Sequence, residues 1–326
     1  MRAILTFLLL VIVAVAGWLA WALWLPLQPS AEKIVLFYPG YSTRRIAGEL
    51  KSAGVIRDSH AFLLWHYLHR EASLKAGEYK FDHPASAIEV HRCLARGDVY
   101  FHTVVIPEGF TIFDVANAIQ ESGLSSREDF LKVATSRTDL VSDLSPSAKS
   151  LEGFLFPETY NFTRTQSLDN MVAEMVKQFR TVAHEIGLSE DVPRIVTMAS
   201  IVEKESAVPE ERPLVASVYY RRLQQNVALD ADPTVIYAEL LSGTYTGALH
   251  HQDMQVNSPY NTYRYPGLPP GPIGNPGKSA LQAAMHPAQS DYLYFVGDGS
   301  GHHRFSSTLE EHNRNVALYR KAMQNK

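Results

Sequence analysis

Behind Arg2 the chain opens with an unbroken apolar run from Ala3 to Leu25. As a helix this run would span roughly 35 Å, enough to cross a bilayer core. Trp18, Trp21 and Trp24 gather at its far end as interfacial residues do, and Arg2 with the free amine predicts a cytoplasmic N-terminus. Residues 1–25 are therefore expected to form a single-pass transmembrane anchor, with the bulk of the chain exported. A cleaved signal peptide is the competing reading, because Ala20-Trp21-Ala22 fits a small-x-small site, but that triplet lies inside the apolar run rather than after it. Residues 26–33 read as a short polar, proline-containing linker.

From residue 34 onward, short strand patterns alternate with amphipathic helices, and one unit is echoed. "GYSTRRIAGELKSAGVI" (40–56) and "GFTIFDVANAIQESGL" (109–124) match in type at an offset of 69, pairing Gly40 with Gly109, Ser42 with Thr111, Ile46 with Val115 and Gly54 with Gly123. Each copy reads as a strand, a Ser/Thr helix cap, an amphipathic helix and a Gly stop. "AGEYKF" (76–81) and "LFPETYNF" (155–162) look like the aromatic strands that end each copy. The region 34–165 is thus expected to hold two related α+β modules.

Residues 166–326 read as a second, mixed α+β domain. A helix from about Asp169 to Gly187 leads to one through "IVTMASIVEKE", then one from Pro209 to Gln225, followed by "LDADPTVIYAELL". A proline-rich loop, "VNSPYNTYRYPGLPPGPIGNPG", comes next and carries Tyr260, Asn261 and Tyr263; loops this long and stiff are more often functional than idle. A helix near Ser279–Met285, a strand "YLYFVGD" and a last helix from about Thr308 to Met323 complete the chain.

Composition narrows the function. With 326 residues, 46% of them hydrophobic, the chain can bury two cores. A net charge of -4 without a dense Lys/Arg block argues against a nucleic-acid partner. The single Cys93 allows no intramolecular disulfide and no cysteine-based metal or redox motif. His250-His251 and His302-His303 lack the spacing of metal ligands and read as structural or surface residues, "GDGSG" (297–301) as a hairpin turn rather than a phosphate loop. No P-loop and no G-x-S-x-G elbow occurs, and no cofactor or metal is expected.

The acids at the end of "MASIVEKES" (198–206) are the strongest candidate chemistry. Two positions apart on a helix, Glu203 and Glu205 lie about 200° apart around the axis, so they cannot both face one cleft. Lys204 falls opposite the apolar arc of Ile195, Met198, Ala199 and Val202. Position favours Glu205 slightly, because it sits nearer the helix C-terminus, where the dipole raises a carboxyl pKa toward the range of a general acid. The alternative is that both acids are solvated charges on a helix shoulder. Asp230 and Asp232 offer a second carboxylate or, equally, an Asp-Pro turn.

"MASIVEKES", "DPTVIY", "SPYNTY", "GLPPGPIGNPG", "AAMHPA", "YLYFVGDGSGHHRF" and "HN" (312–313), in that order, resemble the endolytic murein transglycosylases of the MltG (YceG-like) family. "PGYSTRRIAGELKSAGVI", "KAGEYKF", "PEGFT" and "EGFLFPETY" extend the resemblance over nearly the whole chain. It implies an α+β inner-membrane protein with a single N-terminal transmembrane helix, LysM-like modules and then a catalytic domain, its bulk in the periplasm. It also implies cleavage within peptidoglycan glycan strands, and association with penicillin-binding glycan synthases. The family's catalytic glutamate maps to Glu205. On this resemblance Tyr260, Asn261, Tyr263 and Asp232 are expected to bind substrate, and Glu203 to support the site. One departure stands out: Asp230-Ala231 occupy positions where the family usually has Gln-Ser or Gln-Thr.

Overall fold

The computed structural model describes residues 2–69 and 73–324. By its contacts the chain divides into two compact units, Met1–Thr103 with Asn161–Ser167, and Val104–Tyr160 with Leu168–Lys326.

Unit 1 begins with the apolar helix α1 (Arg2–Leu23), whose 22 residues extend about 33 Å. Its apolar window has a mean hydropathy of 2.7 and is not buried by the protein. The rest of the unit runs β1 (Lys33–Phe37), α2 (Thr43–Ser52), α3 (Ser59–Leu68), β2 (Gly77–Phe81) and α4 (Ala87–Arg96). β1 and β2 pair antiparallel with Val35 opposite Tyr79. Phe37, Leu50, Phe62, Tyr79 and Leu94 fill the core beneath them. Ser42, Asp58 and Ser86 cap the three short helices through side-chain acceptors, each cap stabilising by about 1 kcal/mol.

The segment read as a linker is held in place. Leu27 and Ala85 exchange backbone hydrogen bonds of 2.9 and 3.2 Å. The Arg57 guanidinium donates to the carbonyls of Leu25 and, at 2.8 Å, Pro26. Ala22 and Leu23, the last residues of α1, are buried in the unit's core.

The sequence echo has a structural counterpart. β3 (His102–Val105) and α5 (Ile112–Glu121) begin 69 residues after β1 and α2, and α6 (Arg127–Ser136) follows as α3 does. β4 (Thr159–Phe162) then pairs with β3, so both copies run strand, helix, helix, strand. Residues 104–160, grouped by their sequence pattern with the N-terminal region, belong by contact to unit 2.

Unit 2 continues with α7 (Leu168–Glu185), α8 (Val192–Glu205), α9 (Arg212–Gln224), α10 (Asp232–Ser242), α11 (Lys278–Met285), the hairpin β5 (Tyr294–Gly297) and β6 (His303–Ser306), and α12 (Leu309–Gln324). The "GDGSG" turn joins β5 to β6, as the pattern predicted. α8 is the central helix, in contact with α9, α10 and α11. The apolar arc predicted for it is too narrow: every residue from Val196 to Val202 is buried, because Thr197 and Ser200 satisfy their hydroxyls within the fold, Thr197 on Pro193 and Ser200 on Thr197. Beyond that stretch α8 reaches the surface at its first turn, at Arg194, and at its C-terminal end, at Glu203, Lys204 and Glu205.

Candidate active site

The two acids at the end of α8 enter different surroundings. Glu203 faces a clasp of loops centred on the buried Asn275. The Asn275 side chain donates to Phe110 O (2.8 Å) and Glu152 Oε1 (3.2 Å) and accepts from Leu155 N (2.9 Å). Its backbone pairs with Gly109 and Phe110. "PEGFT", "EGFLFPETY" and "GNPG" are thereby tied together. Glu152 accepts from the Ile112 backbone N–H at the start of α5, at 3.0 and 3.1 Å; burial nevertheless pushes its pKa up to about 8. Two glycines admit no side chain here: a Cβ on Gly277 would lie 1.8 Å from Glu108 Oε1, and one on Gly153, at φ +86°, 2.5 Å from Pro272.

Glu203 closes this clasp. Its Oε2 accepts from Gly277 N at 2.9 Å, and its Oε1 from Arg212 at 2.5 Å. Arg212 also donates to Ser206 O and Glu108. Burial raises the pKa of Glu203, against the opposing pull of the Gly277 N–H and the Arg212 charge. Lys204 is exposed, its methylenes lying over Gly109 and Gly274.

Glu205 faces the other way, into a cavity of about 470 Å³. α9 contributes Tyr219 and Arg222, α10 contributes Asp232, β5 contributes Tyr294 and Phe295, β6 contributes His303, and α12 contributes His312. Tyr219 donates a 2.8 Å hydrogen bond to Glu205 Oε1. Burial raises the Glu205 pKa to about 7; the Tyr219 hydroxyl opposes that rise and the charge of Asp232 adds to it. A carboxyl group poised there can give a proton and take one back. Asp232 is engaged, its Oδ1 accepting from the Tyr263 hydroxyl at 2.5 Å.

Across the cavity, His303 is held by Glu211. Its Nδ1–H donates to Glu211 Oε2 at 2.7 Å and its backbone N–H to the same carboxylate, while His302 bonds the other oxygen at 3.0 Å. Burial would raise the Glu211 pKa, but these histidine hydrogen bonds prevail and lower it. Beside them, Tyr294 stacks on His312 at 5.2 Å, and Arg222 sits over the Tyr294 ring and pairs with Asp230. Arg222 Nε and His312 Nδ1 are buried without a hydrogen-bond partner among the described residues. Asp230 has φ +52°, a left-handed conformation that Asp tolerates better than most residues. Among the described residues no group of three His, Cys, Asp or Glu side chains is placed to hold a metal ion.

The structure thus brings Glu205, Asp232 and Tyr263 together and places the other predicted residues elsewhere. Asn261 is fully buried, its amide donating to Met254 O and Val256 O and accepting from Tyr263 N, which shapes the loop that delivers Tyr263. Tyr260 lines a separate cavity of about 260 Å³ with Glu152, Pro270 and Pro272. The sequence reading passed over Tyr219, Arg222 and Glu211 and took His303 as a structural or surface residue. The i, i+3 spacing that puts Tyr219 and Arg222 on one face of α9 was one available signal, and the place of His303 in "YLYFVGDGSGHHRF" another.

The model of the YceG-like family matches residues 35–318 of this chain. The chain belongs to that family. It is 32% identical over 300 residues to an endolytic murein transglycosylase of Bacillus subtilis, an alignment that covers 86% of this chain and 82% of that protein. An endolytic murein transglycosylase of Streptococcus pneumoniae is 28% identical over 331 residues, covering 90% of this chain and 60% of the longer relative. Among solved structures, a yceG-like protein from Listeria monocytogenes superposes with a TM-score of 0.57 at 34% identity, covering 87% of this chain and 98% of that one. The match takes in both copies of the strand-helix-helix-strand unit, but for the first two residues of β1, and the whole Glu205 cavity.

Proposed function

We propose that the chain is a membrane-anchored endolytic lytic transglycosylase that cuts the MurNAc–GlcNAc bond within peptidoglycan strands and leaves a 1,6-anhydroMurNAc end. The observation that carries this reading is the single buried carboxyl of Glu205, with its pKa raised to about 7, at the wall of an open polar cavity.

Hydrolases of glycosidic bonds generally need two carboxylates. Here the nucleophile is the C6 hydroxyl of the same muramic acid, already tethered, and effective molarity replaces the second group. Glu205 in its acid form gives its proton to the glycosidic oxygen as the C1–O bond breaks. The C6 oxygen then bonds to C1, and the Glu205 carboxylate takes the hydroxyl proton. The acid is restored with no water consumed. Tyr219 orients the carboxyl through its hydrogen bond, and Asp232, held by Tyr263, supports the positive charge that develops at C1. The exposed face of Tyr263 and the unpartnered polar atoms of Arg222 and His312 suit a sugar chain rich in hydroxyl and acetamido groups.

The α1 helix is the anchor in this reading, with its N-terminus cytoplasmic and the remaining chain in the periplasm. Burial of Ala22 and Leu23 in the core of unit 1 supports retention of the helix, since cleavage after Ala22 would strip a core residue. The β-α-α-β order of unit 1 supports the LysM-like expectation of a glycan-binding module. Unit 2, from residue 104 but without 161–167, would be the catalytic body. Cleavage within growing strands next to penicillin-binding glycan synthases would terminate elongation. No cofactor and no nucleic acid enters the reaction.

The test is mass spectrometry of uncrosslinked glycan strands after incubation with the detergent-solubilised full chain and with Glu205→Gln. Anhydro-ended internal fragments from the unaltered protein alone are expected. Products heavier by one water would turn the reading to a two-carboxylate hydrolase using Asp232, which shares the cavity. Intact strands from both proteins would leave a glycan-binding scaffold.

A further inference from the structure

The anchor helix is not a free tether, and that singles out α3. The last turn of α1 is clamped: Ala22 and Leu23 lie in the core of unit 1, Leu19 packs against it, and Arg57 holds the carbonyls of Leu25 and Pro26 while its guanidinium sits 5.5 Å from the Trp21 ring. Trp24 meets Trp65 of α3 edge to face, with ring centroids 5.7 Å apart. Between the two helices lies an apolar cleft of about 270 Å³, lined on one side by Ala16, Leu19 and Leu23 and on the other by Leu64, Trp65 and Leu68. Its α3 wall does not stay inside the protein: Leu64 is 44% exposed and Leu68 71%, and Tyr67, beside the cleft on the same helix, is 49% exposed.

Height along α1 decides what covers this face. The 22 residues of α1 extend about 33 Å, little more than a hydrocarbon core of about 30 Å. Ala16 lies seven residues before the end of the helix, about 10 Å down its axis, hence within the membrane if α1 spans it. Leu64 and Leu68 share a cleft with Ala16 and Leu19, so they sit at the same depth.

We propose that the C-terminal half of α3 is embedded in the leaflet of the membrane that receives the C-terminal end of α1, so that unit 1 rests on the bilayer through two helices, with lipid acyl chains filling the cleft between them. The inference rests on the reading of α1 as a membrane span. Its surface is continuous with that helix, and its composition, large apolar side chains with Tyr67 and Trp65 among them, is that of an interfacial helix. The N-terminal end of α3 carries the opposite character: Asp58 caps it and pairs with Lys51 at 3.1 Å, in water.

Nitroxide labels test this in the full chain reconstituted into phosphatidylethanolamine/phosphatidylglycerol vesicles. In a Cys93→Ala background, cysteines would be placed singly at Ile12, Glu49 and Leu68, and collision with oxygen compared with collision with a water-soluble nickel chelate. Position 68 should resemble position 12, favouring oxygen several-fold over the aqueous position 49. If 68 behaves like 49 while 12 remains in lipid, the proposal fails and the anchor reading stands. If 12 is also aqueous, the anchor reading itself has failed and takes the proposal with it. Shielding of 68 from both reagents would overturn the proposal in favour of a protein partner or a second copy of the chain. Unaltered thermal unfolding of each labelled variant would show that the unit is intact.

Discussion

Two acids two residues apart on one helix live in different chemical surroundings, and the contrast separates what builds this molecule from what makes it reactive. On the Glu203 side, the carboxylate, the Arg212 guanidinium and the Asn275 side chain are all engaged: with Gly277 they tie three loops together by hydrogen bonds. On the Glu205 side, the carboxyl has one hydrogen-bonding hydroxyl and faces open volume, and two further side chains, Arg222 and His312, leave buried atoms unmatched. Motifs shared with the family build both regions: "PEGFT", "EGFLFPETY" and "GLPPGPIGNPG" meet at the first, while "DPTVIY", "SPYNTY" and "YLYFVGDGSGHHRF" line the second. Tyr219 and Arg222 of the second come from outside any of them.

The largest expected effect tests the two halves of the contrast against each other. Glu205→Gln should lower the rate of strand cleavage by about 10²–10⁴-fold, read from released anhydro ends, with the circular dichroism spectrum unchanged. Glu203→Ala should do the reverse: it leaves the nearly buried Arg212 with only the more distant Glu108 as a counter-charge, and denaturant unfolding should show a loss of about 3 kcal/mol. Activity of the folded fraction should remain. Equal loss of activity in the two folded variants would collapse the distinction.

Stability as a function of pH sharpens it further. The folded-state pKa of Glu205 lies above the 4.5 of the exposed group, so the folded state holds the proton more tightly and stability declines as pH rises from about 4.5 to about 7. Glu205→Gln should remove that decline and raise the melting temperature above pH 7, by the equivalent of about 1–3 kcal/mol, with little change below pH 4.5.

Smaller shifts separate the neighbours of Glu205. The unaltered protein should lose activity as pH rises through about 7, where the acid form disappears. Tyr219→Phe removes a hydrogen bond that lowers the Glu205 pKa and should move this limb to higher pH. Asp232→Asn removes a charge that raises it and should move the limb to lower pH. Opposite displacements in the two pH–rate profiles are expected; displacements in one direction would refute the assignment of these neighbours. The smallest contrast is between tyrosines: Tyr263→Phe should impair cleavage, whereas Tyr260→Phe, whose ring lies in the other cavity, should change it less than Tyr263→Phe does in the same assay.

Local signals were legible where physics is local. Helix periodicity, Ser and Thr caps and glycine stops located α2, α5, α9, α11 and α12 to within a few residues, and the offset of 69 foretold two units that open on a strand and a capped helix, though not the second helix of each, α3 and α6. The unbroken burial of Val196 to Val202 in α8 was not legible, since Thr197 and Ser200 count as polar until their internal partners are known. For the same reason Asn261 looks like a ligand-binding residue in a tyrosine-rich loop, while its amide is committed to that loop's own carbonyls. Tyr219 and His303 lie far apart in sequence and meet only through the packing of α9 against β5 and the grip of Glu211 on the β6 start. The pairing of 104–160 with the second unit likewise rests on contacts such as Leu155 to Asn275, which span 120 positions of sequence and leave no periodic trace.

The raised proton affinity of Glu205 also bears on inhibition. Turnover uses the neutral acid, whereas a sugar mimic with a cationic ring nitrogen would be held by the anion. Substrate processing and tight binding of such a mimic would therefore prefer opposite sides of the same titration. A compound of this kind would grip the enzyme best in alkaline buffer, where cleavage is already fading, and a screen run only at the activity optimum would undervalue it.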